Sequence, residues 1–515
     1  MSLESVAQWS RDPEEALLLP EVPLGYSITS DSLGGVFVLG AEADWSSSYC
    51  THINRNGFPG WNEWVSIMPD IEIVIPYGIR VSPEPGCVVA MLYTEQYVNE
   101  DTLWDFRAQK LNLDGERMWP DSGVSVTTRE RNIEGLIEMG VIGAVSDGEG
   151  GLIVLWNVLY YRMISEVDRI FERQSIRAQR LTSDGESLWG DTGMEVIDIE
   201  NRQSISGGRT VSDGSGGVIM VFSKSSIDEH IIGGQRISSQ GDRLWGDSGV
   251  LYELDSYLAI GEAVSDNHRG VIFSGQAVRD SLKQIRVFRF GQDGNQIWGD
   301  GNGLVVREVY WRTGGVGASW LNSATDSIFF INWVENVSHP YVQAIDLSGE
   351  LLWNSPGVTI CDADTIGYPI LHGVGSMRSV IYGWRGDRPG NDQRFASYCQ
   401  RLDEHGNKLW ADEGVLLFNR SDMIITDALP DGYGGTIFKI GRYLQLVNRD
   451  GELGVPLTIR SFDEPLAQGI IEYTLFPNPT NGAVTLSFFS QLTTERQITL
   501  FDLQGRPIFQ GLIPR

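Results

Sequence analysis

The 515-residue chain carries 68 Asp and Glu against 39 Lys and Arg, a formal net charge of −29 at pH 7. That acidic excess argues against nucleic acid and anionic membrane surfaces as partners, because binding there depends on Lys and Arg neutralising phosphates. With 60 glycines, 41% hydrophobic and 21% charged residues the chain reads as folded and turn-rich, and no apolar run reaches the ~20 residues of a membrane helix, so no membrane insertion is expected.

Met1 to Pro20 lacks the basic start and apolar centre of a secretory signal. Residues 14–21, EEALLLPE, form a candidate first strand for the first repeat. From Ile28 onward two half-motifs alternate. The first is a short strand, a polar turn and an apolar β-branched run: ITSDSLGGVFVLG from Ile28, AVSDGEGGLIVLW from Ala144, TVSDGSGGVIMVF from Thr210, AVSDNHRGVIFSG from Ala263 and ALPDGYGGTIFKI from Ala428. Weaker copies begin at Val81, Asn322 and Val374. Apolar runs bounded by Gly, Asp and Ser are strand signals, and the D-G and G-G pairs supply the positive φ angles of hairpin turns.

The second half-motif is a strand, a tight turn and a second strand opened by Trp. It reads AQKLNLDGERMWPDSG from Ala108, AQRLTSDGESLWGDTG from Ala178, GQRISSQGDRLWGDSG from Gly234 and VFRFGQDGNQIWGDGNG from Val287. Further copies start at Val342 and Cys399, with worn ones at Cys50 and Leu444; in the last, Val455 stands in the Trp position. The turn glycines are Gly57, Gly115, Gly185, Gly241, Gly294, Gly349, Gly406 and Gly451, mostly about 55 residues apart, a period that signals a repeat architecture.

Both half-motifs together make four antiparallel strands per repeat, and eight such units predict an all-β fold, a propeller of about eight four-stranded blades, with seven as the alternative. Trp61, Trp119, Trp189, Trp245, Trp298, Trp353 and Trp410 hold a fixed place after each turn and are expected to pack one blade on the next rather than to stack on sugars. An unclosed ring would expose sheet edges, so residues 14–21 or Gly454–Ile459 should clip the first and last blades together. Cys50 and Cys399 occupy the slot of Ala108, Ala178 and Gly234, which points to buried free thiols.

Connections of variable length are where function is added to such a scaffold. The longest runs from Asn157 to Gln174 and carries Tyr160, Tyr161 and Arg162, the candidate ligand residues. Others are Thr94 to Phe106 and Arg385 to Phe395; the latter holds Arg385-Gly386-Asp387, a tripeptide expected by chance in such a loop. The SDGxGG turns lack the successive ligands of a calcium loop, and the six histidines have no metal-ligand spacing. No nucleophile elbow or phosphate loop is present. No catalytic, metal or cofactor-binding residue is assigned, and no cofactor is expected.

TSDGESLW from Thr182 resembles the Asp-box of sialidase-type propellers, although Gly185 follows Asp184 directly and Leu188 replaces the Thr. AQRLTSDGESLW is also similar to the tryptophan-docking motif of quinoprotein propellers, which implies like blade mechanics and not a cofactor. Beyond the repeats, Ser461–Gln468 reads as a linker. Then come FPNPTNG (Phe476–Gly482), VTLSF (Val484–Phe488) and ITLFDLQGR (Ile498–Arg506), an antiparallel pattern unrelated to the blades. These residues, with Pro477, Asn478, Pro479, Asn481 and Gly482 at the turn, closely resemble the type A sorting domain of the type IX secretion system of Bacteroidota. The resemblance implies a β-sandwich read by the secretion machinery and a protein that is secreted or held at the outer cell surface. The family's closing Leu-x-x-Gly-x-Tyr strand is not reached by Arg515, so the chain reads as part of a longer one. The expected organisation is a propeller over 1–460, a linker over 461–469 and a partial sorting domain over 470–515. The function expected is a non-enzymatic scaffold for a glycan or protein ligand; the alternative is a secreted carbohydrate-active hydrolase or lyase with its site in the propeller channel.

Overall fold

The computed structural model describes residues 9–19, 24–42, 47–61, 63–69, 71, 74–82, 84–98, 101–127, 135–164, 168–199, 204–225, 229–310, 316–323, 327–335, 339–361, 372–376, 378–386, 395–420, 423–454, 473–476, 485–488, 496–501 and 507–513. The chain divides into two units, Met1–Val455 and Pro456–Arg515.

The first unit is built from eight four-stranded antiparallel sheets. Blade 3 shows the plan: Gly135–Ser146, Leu152–Met163, Arg169–Leu181 and Met194–Ile199 pair in chain order from the inside out. The innermost strands neighbour one another from blade to blade, and Ile425–Pro430 of blade 8 returns to Leu24–Ser30 of blade 1. The protein is therefore an eight-bladed β-propeller.

Local chemistry accounts for each element. The second strand of a blade is covered on both faces by neighbouring sheets, so it is apolar without alternation. In blade 3 Leu152, Ile153, Val154, Leu155 and Trp156 are all buried. The turn before it needs left-handed backbone, supplied in blade 4 by Gly214 at φ 71° and Gly216 at φ 80°. The hydrophobic core is shared out between blades: Val211, Ile219 and Trp245 of blade 4, for example, pack with Leu258, Phe273 and Phe290 of blade 5. The slot of Cys50, Ala108, Ala178 and Cys399 is fully buried, and both cysteines are free. Burial pushes both thiols up from their ordinary value.

Ring closure departs from the sequence expectation in one respect. Leu17–Leu18, expected to open blade 1, instead forms the outermost strand of blade 8, with Leu17 opposite Leu444 and Leu18 opposite Tyr443. The clip between first and last blades is thus made within the 14–21 stretch, by Leu17–Leu18, and Val455–Ile459 lie outside the described residues. The residues just before this stretch supply what blade 8 lacks at its Trp position. Trp9, almost wholly buried, donates its indole N–H to the carbonyl of Arg55 in the turn of blade 1, at 2.7 Å.

In the second unit Tyr473–Phe476 pairs with Thr485–Phe488, and Arg496–Phe501 with Pro507–Ile513. The linker 461–469 and the motif residues Pro477, Asn478, Pro479, Asn481 and Gly482 lie outside the described residues.

Candidate functional site

The repeated residues are engaged in joining blades. Each docking Trp lies on the turn glycine of the next blade. A Cβ on Gly185 would fall 3.1 Å from the Trp119 ring, and one on Gly349 2.9 Å from Trp298. The same holds for Gly115 on Trp61, Gly241 on Trp189, Gly294 on Trp245 and Gly406 on Trp353. The indole N–H then donates to the carbonyl two residues before that glycine: Trp119 to Ser183 at 3.0 Å, Trp245 to Gln292 at 3.0 Å, Trp353 to Glu404 at 2.9 Å. Trp189 keeps the packing without this bond.

The aspartate of the SDG turn does internal work as well. One oxygen of Asp213 accepts the backbone N–H groups of Ser215 and Gly217, each at 2.8 Å. The other accepts from Arg236 of the third strand at 3.0 and 2.9 Å. Arg236 also reaches the Gln292 carbonyl in blade 5, so the buried pair ties two blades. Asp147–Arg180 and Asp266–Arg289 repeat the arrangement. In blade 1 a histidine takes the arginine's place, and His52 Nε2 lies 2.9 Å from Asp31. Among the described residues no group of three His, Cys, Asp or Glu side chains is placed to hold a metal ion.

The candidate ligand stretch turns out differently from the expected loop. Most of Asn157–Gln174 continues the second and third strands of blade 3, with Tyr160 opposite Arg173 and Arg162 opposite Ile170. Blade 2 does the same beside it, through Cys87–Val98 and Asp101–Asn112. Strands of 12 and 13 residues in these two blades compare with 8 in the corresponding strands of blade 4. Both hairpins join second to third strands, so they rise from the same face of the ring. Tyr160, Tyr161 and Arg162 do not converge. Tyr160 packs toward the blade 2–3 core under the Arg173 guanidinium, 3.9 Å from its ring centre, and Arg173 is held in turn by Asp198 at 3.1 Å. Tyr161, the next residue along the strand, meets Phe171 edge-on at 5.7 Å. Arg162 pairs with Glu172 at 2.7 Å in solvent. Tyr93, Tyr97 and Trp104 belong to the blade 2 hairpin, which makes the two extensions rich in aromatic residues. That enrichment was visible in the sequence.

A second feature lies on the innermost strands. Most of them break register near their midpoint, among others at Val141/Gly143, Ser206/Arg209 and Ile260/Ala263. Such bulges re-aim side chains. At the breaks of blades 4 and 5 Arg209 and Glu262 face each other at 3.8 Å, both partly exposed. Burial pushes the Glu262 carboxyl above its ordinary value, and Arg209 offsets part of that. The sequence reading singled out neither residue, because inner-strand positions carry no motif.

No family model matches the chain, and no curated protein matches it. Solved structures that it resembles include puromycin hydrolase, at 14% identity over 85% of this chain and 61% of that one, with a TM-score of 0.38. Another is an ulvan lyase, at 9% identity over 63% of this chain and 79% of that one, with a TM-score of 0.35. A third is the β-propeller domain of the trilobed protease from Pyrococcus furiosus, at 11% identity over 74% and 94%, with a TM-score of 0.35. The chain spans 61% of the length of the puromycin hydrolase it matches.

Proposed function

We propose that this protein is a secreted or surface-held binding scaffold whose ligand, a glycan or a protein segment, is met by the extended hairpins of blades 2 and 3. The observation that carries this reading is the paired lengthening of two adjacent blades on one face, with Tyr97, Trp104, Tyr160, Tyr161 and Phe171 on the added length. Elsewhere the repeated Trp, Asp and Arg side chains are taken up in joining blades, whereas Tyr161 and Phe171 meet on the hairpin beyond the blade core. Aromatic side chains offer large contact area at low entropic cost, which suits both sugar faces and extended peptides. Export rests on the likeness of FPNPTNG and ITLFDLQGR to the type IX sorting domain, with the segment from about Ile470 read at the outer membrane.

The test is a glycan and peptide array probed with the intact chain and with a chain in which the four-residue connection of blade 4 replaces residues 160–173. Ligands that bind the first and not the second support the reading; equal binding to both would overturn it. The alternative, a hydrolase or lyase, is favoured by the perturbed Glu262 carboxyl beside Arg209, since raised carboxyls on a channel wall are what acid–base chemistry requires. Turnover of any polysaccharide by the intact chain, abolished in Glu262→Gln, would replace the scaffold reading with that one.

A further inference from the structure

Blade 8 is completed from the far end of the chain. Gln445, on its third strand, donates to the carbonyl of Ser10 at 2.8 Å across 435 residues. In other blades the equivalent glutamine bonds the carbonyl of the residue after its own docking Trp: Gln109 to Pro120, Gln179 to Gly190, Gln235 to Gly246, Gln400 to Ala411. Ser10 follows Trp9, and Trp9 donates to Arg55 two residues before Gly57, as Trp119 does to Ser183 two before Gly185. Residues 9–19 therefore take the place of the last third of a repeat and remake these two bonds, while the Trp9 backbone N–H goes to the Asn56 carbonyl where other blades send it to the glutamine side chain. Ala16, Leu17 and Leu19 are buried with Trp9, the Leu19 N–H donates to Arg442, and the Asn419 N–H donates to Pro13.

The difference lies in covalent connection. Outer strands of blades 1–7 follow directly from their own blade's third strand, whereas this one reaches blade 8 only through non-covalent contacts. We propose that the edge of Tyr443–Val447 together with the Trp pocket above the blade 1 turn is a peptide-acceptor site. Its ligand class is an extended segment with a Trp, then Leu-Leu eight residues on, and residues 9–19 are its resident, displaceable occupant. Recognition is of two kinds. Backbone pairing at Leu444 and Tyr443 takes any strand, while the indole N–H bond to Arg55 and the buried ring select for Trp. The occupant comes off as a strap that stays tethered to its own ring. Residues 20–23 connect it to Leu24 on the innermost strand, and the five backbone steps from Leu19 to Leu24 span at most ~18 Å.

The experiment places a protease site at residues 20–23 of the full chain, cuts it in the folded protein, and adds a fluorescent peptide of residues 9–19. The expected result is uptake of the labelled peptide into the cut chain, at least ten-fold weaker uptake of the Trp9→Ala peptide, and little uptake by the uncut chain. Three outcomes would each overturn the proposal. One is no exchange at any temperature below that of ring unfolding. Another is equal competition by the Trp9→Ala peptide. The third is equal uptake by cut and uncut chains. If the cut chain unfolds, uncut chain carrying Trp9→Ala serves instead; it should take up the parent peptide better than the wild-type chain does, and failure to do so counts equally against the site.

Discussion

At the scale of single residues, the docking Trp and the buried Asp–Arg pair divide the labour of holding blades together. Trp245 is buried and bonded to Gln292, so Trp245→Ala should destabilise the ring by about 3–5 kcal/mol. Trp245→Phe keeps most of the apolar area and should cost roughly 1–2 kcal/mol; urea midpoints separate the two. Arg236→Met leaves the buried Asp213 charge without its partner, and a loss of about 3–5 kcal/mol is expected. Asp31 allows a pH test. Burial pushes its carboxyl up, but the bond to His52 and the N–H groups of Leu33 and Gly35 together hold it below its ordinary 3.8. Because the folded value is depressed, the unfolded chain takes up the proton first. The stabilisation is present above pH 3.8 and is lost as pH falls below it. Asp31→Asn should therefore destabilise more at pH 5 than at pH 2.5, and a difference that does not shrink on acidification would contradict the assignment.

At the scale of elements, the blades were legible because turn chemistry and packing demand the same residues eight times over. Gly185 must be left-handed and must also make room for Trp119, so neither property can drift without the other. The closing element was less legible. Its Trp9 precedes the paired Leu17 by eight residues, where Trp189 precedes the equivalent Met194 by five, and Pro13 stands near the place of the usual glycine. The long hairpin of blade 3 was hidden for another reason. Beyond the blade core both its faces meet solvent, so Arg162, Glu172 and Arg173 interrupt the alternation by which strands are recognised. Arg209 and Glu262 were invisible because a bulge, not a sequence pattern, brings them together. Replacing residues 160–173 by the four residues that join Ser225 to His230 in blade 4 shortens this hairpin to the length of blade 4 and keeps Gln174, which accepts the Ile205 N–H. Far-ultraviolet circular dichroism should keep its shape, with a melting temperature lowered by a few degrees for the loss of Tyr160 from the core edge.

At the scale of the whole molecule, eight inter-blade cores share the stability of the ring, and the second unit begins after the last of them. Deleting Ile470–Arg515 should leave the melting temperature of the propeller within about 2 °C of that of the full chain. A larger drop would mean that the segment belongs to the ring. In the parent organism the same deletion should retain the propeller in the periplasm, and delivery to the surface without it would remove the basis for assigning a sorting signal.

The bond between Ser10 and Gln445 also sets a clock on biosynthesis. Blades 1–7 join strands that leave the ribosome within seconds of each other. Ser10 emerges 435 residues ahead of its partner, which at about 5–20 residues per second is a wait of roughly 20–90 s. For that interval Trp9 and the leucines that follow it have no ring to enter. An apolar stretch of this kind, held open on the nascent chain until the last blade appears, is where a chaperone would find the protein, and its release would mark the moment at which the circle is shut.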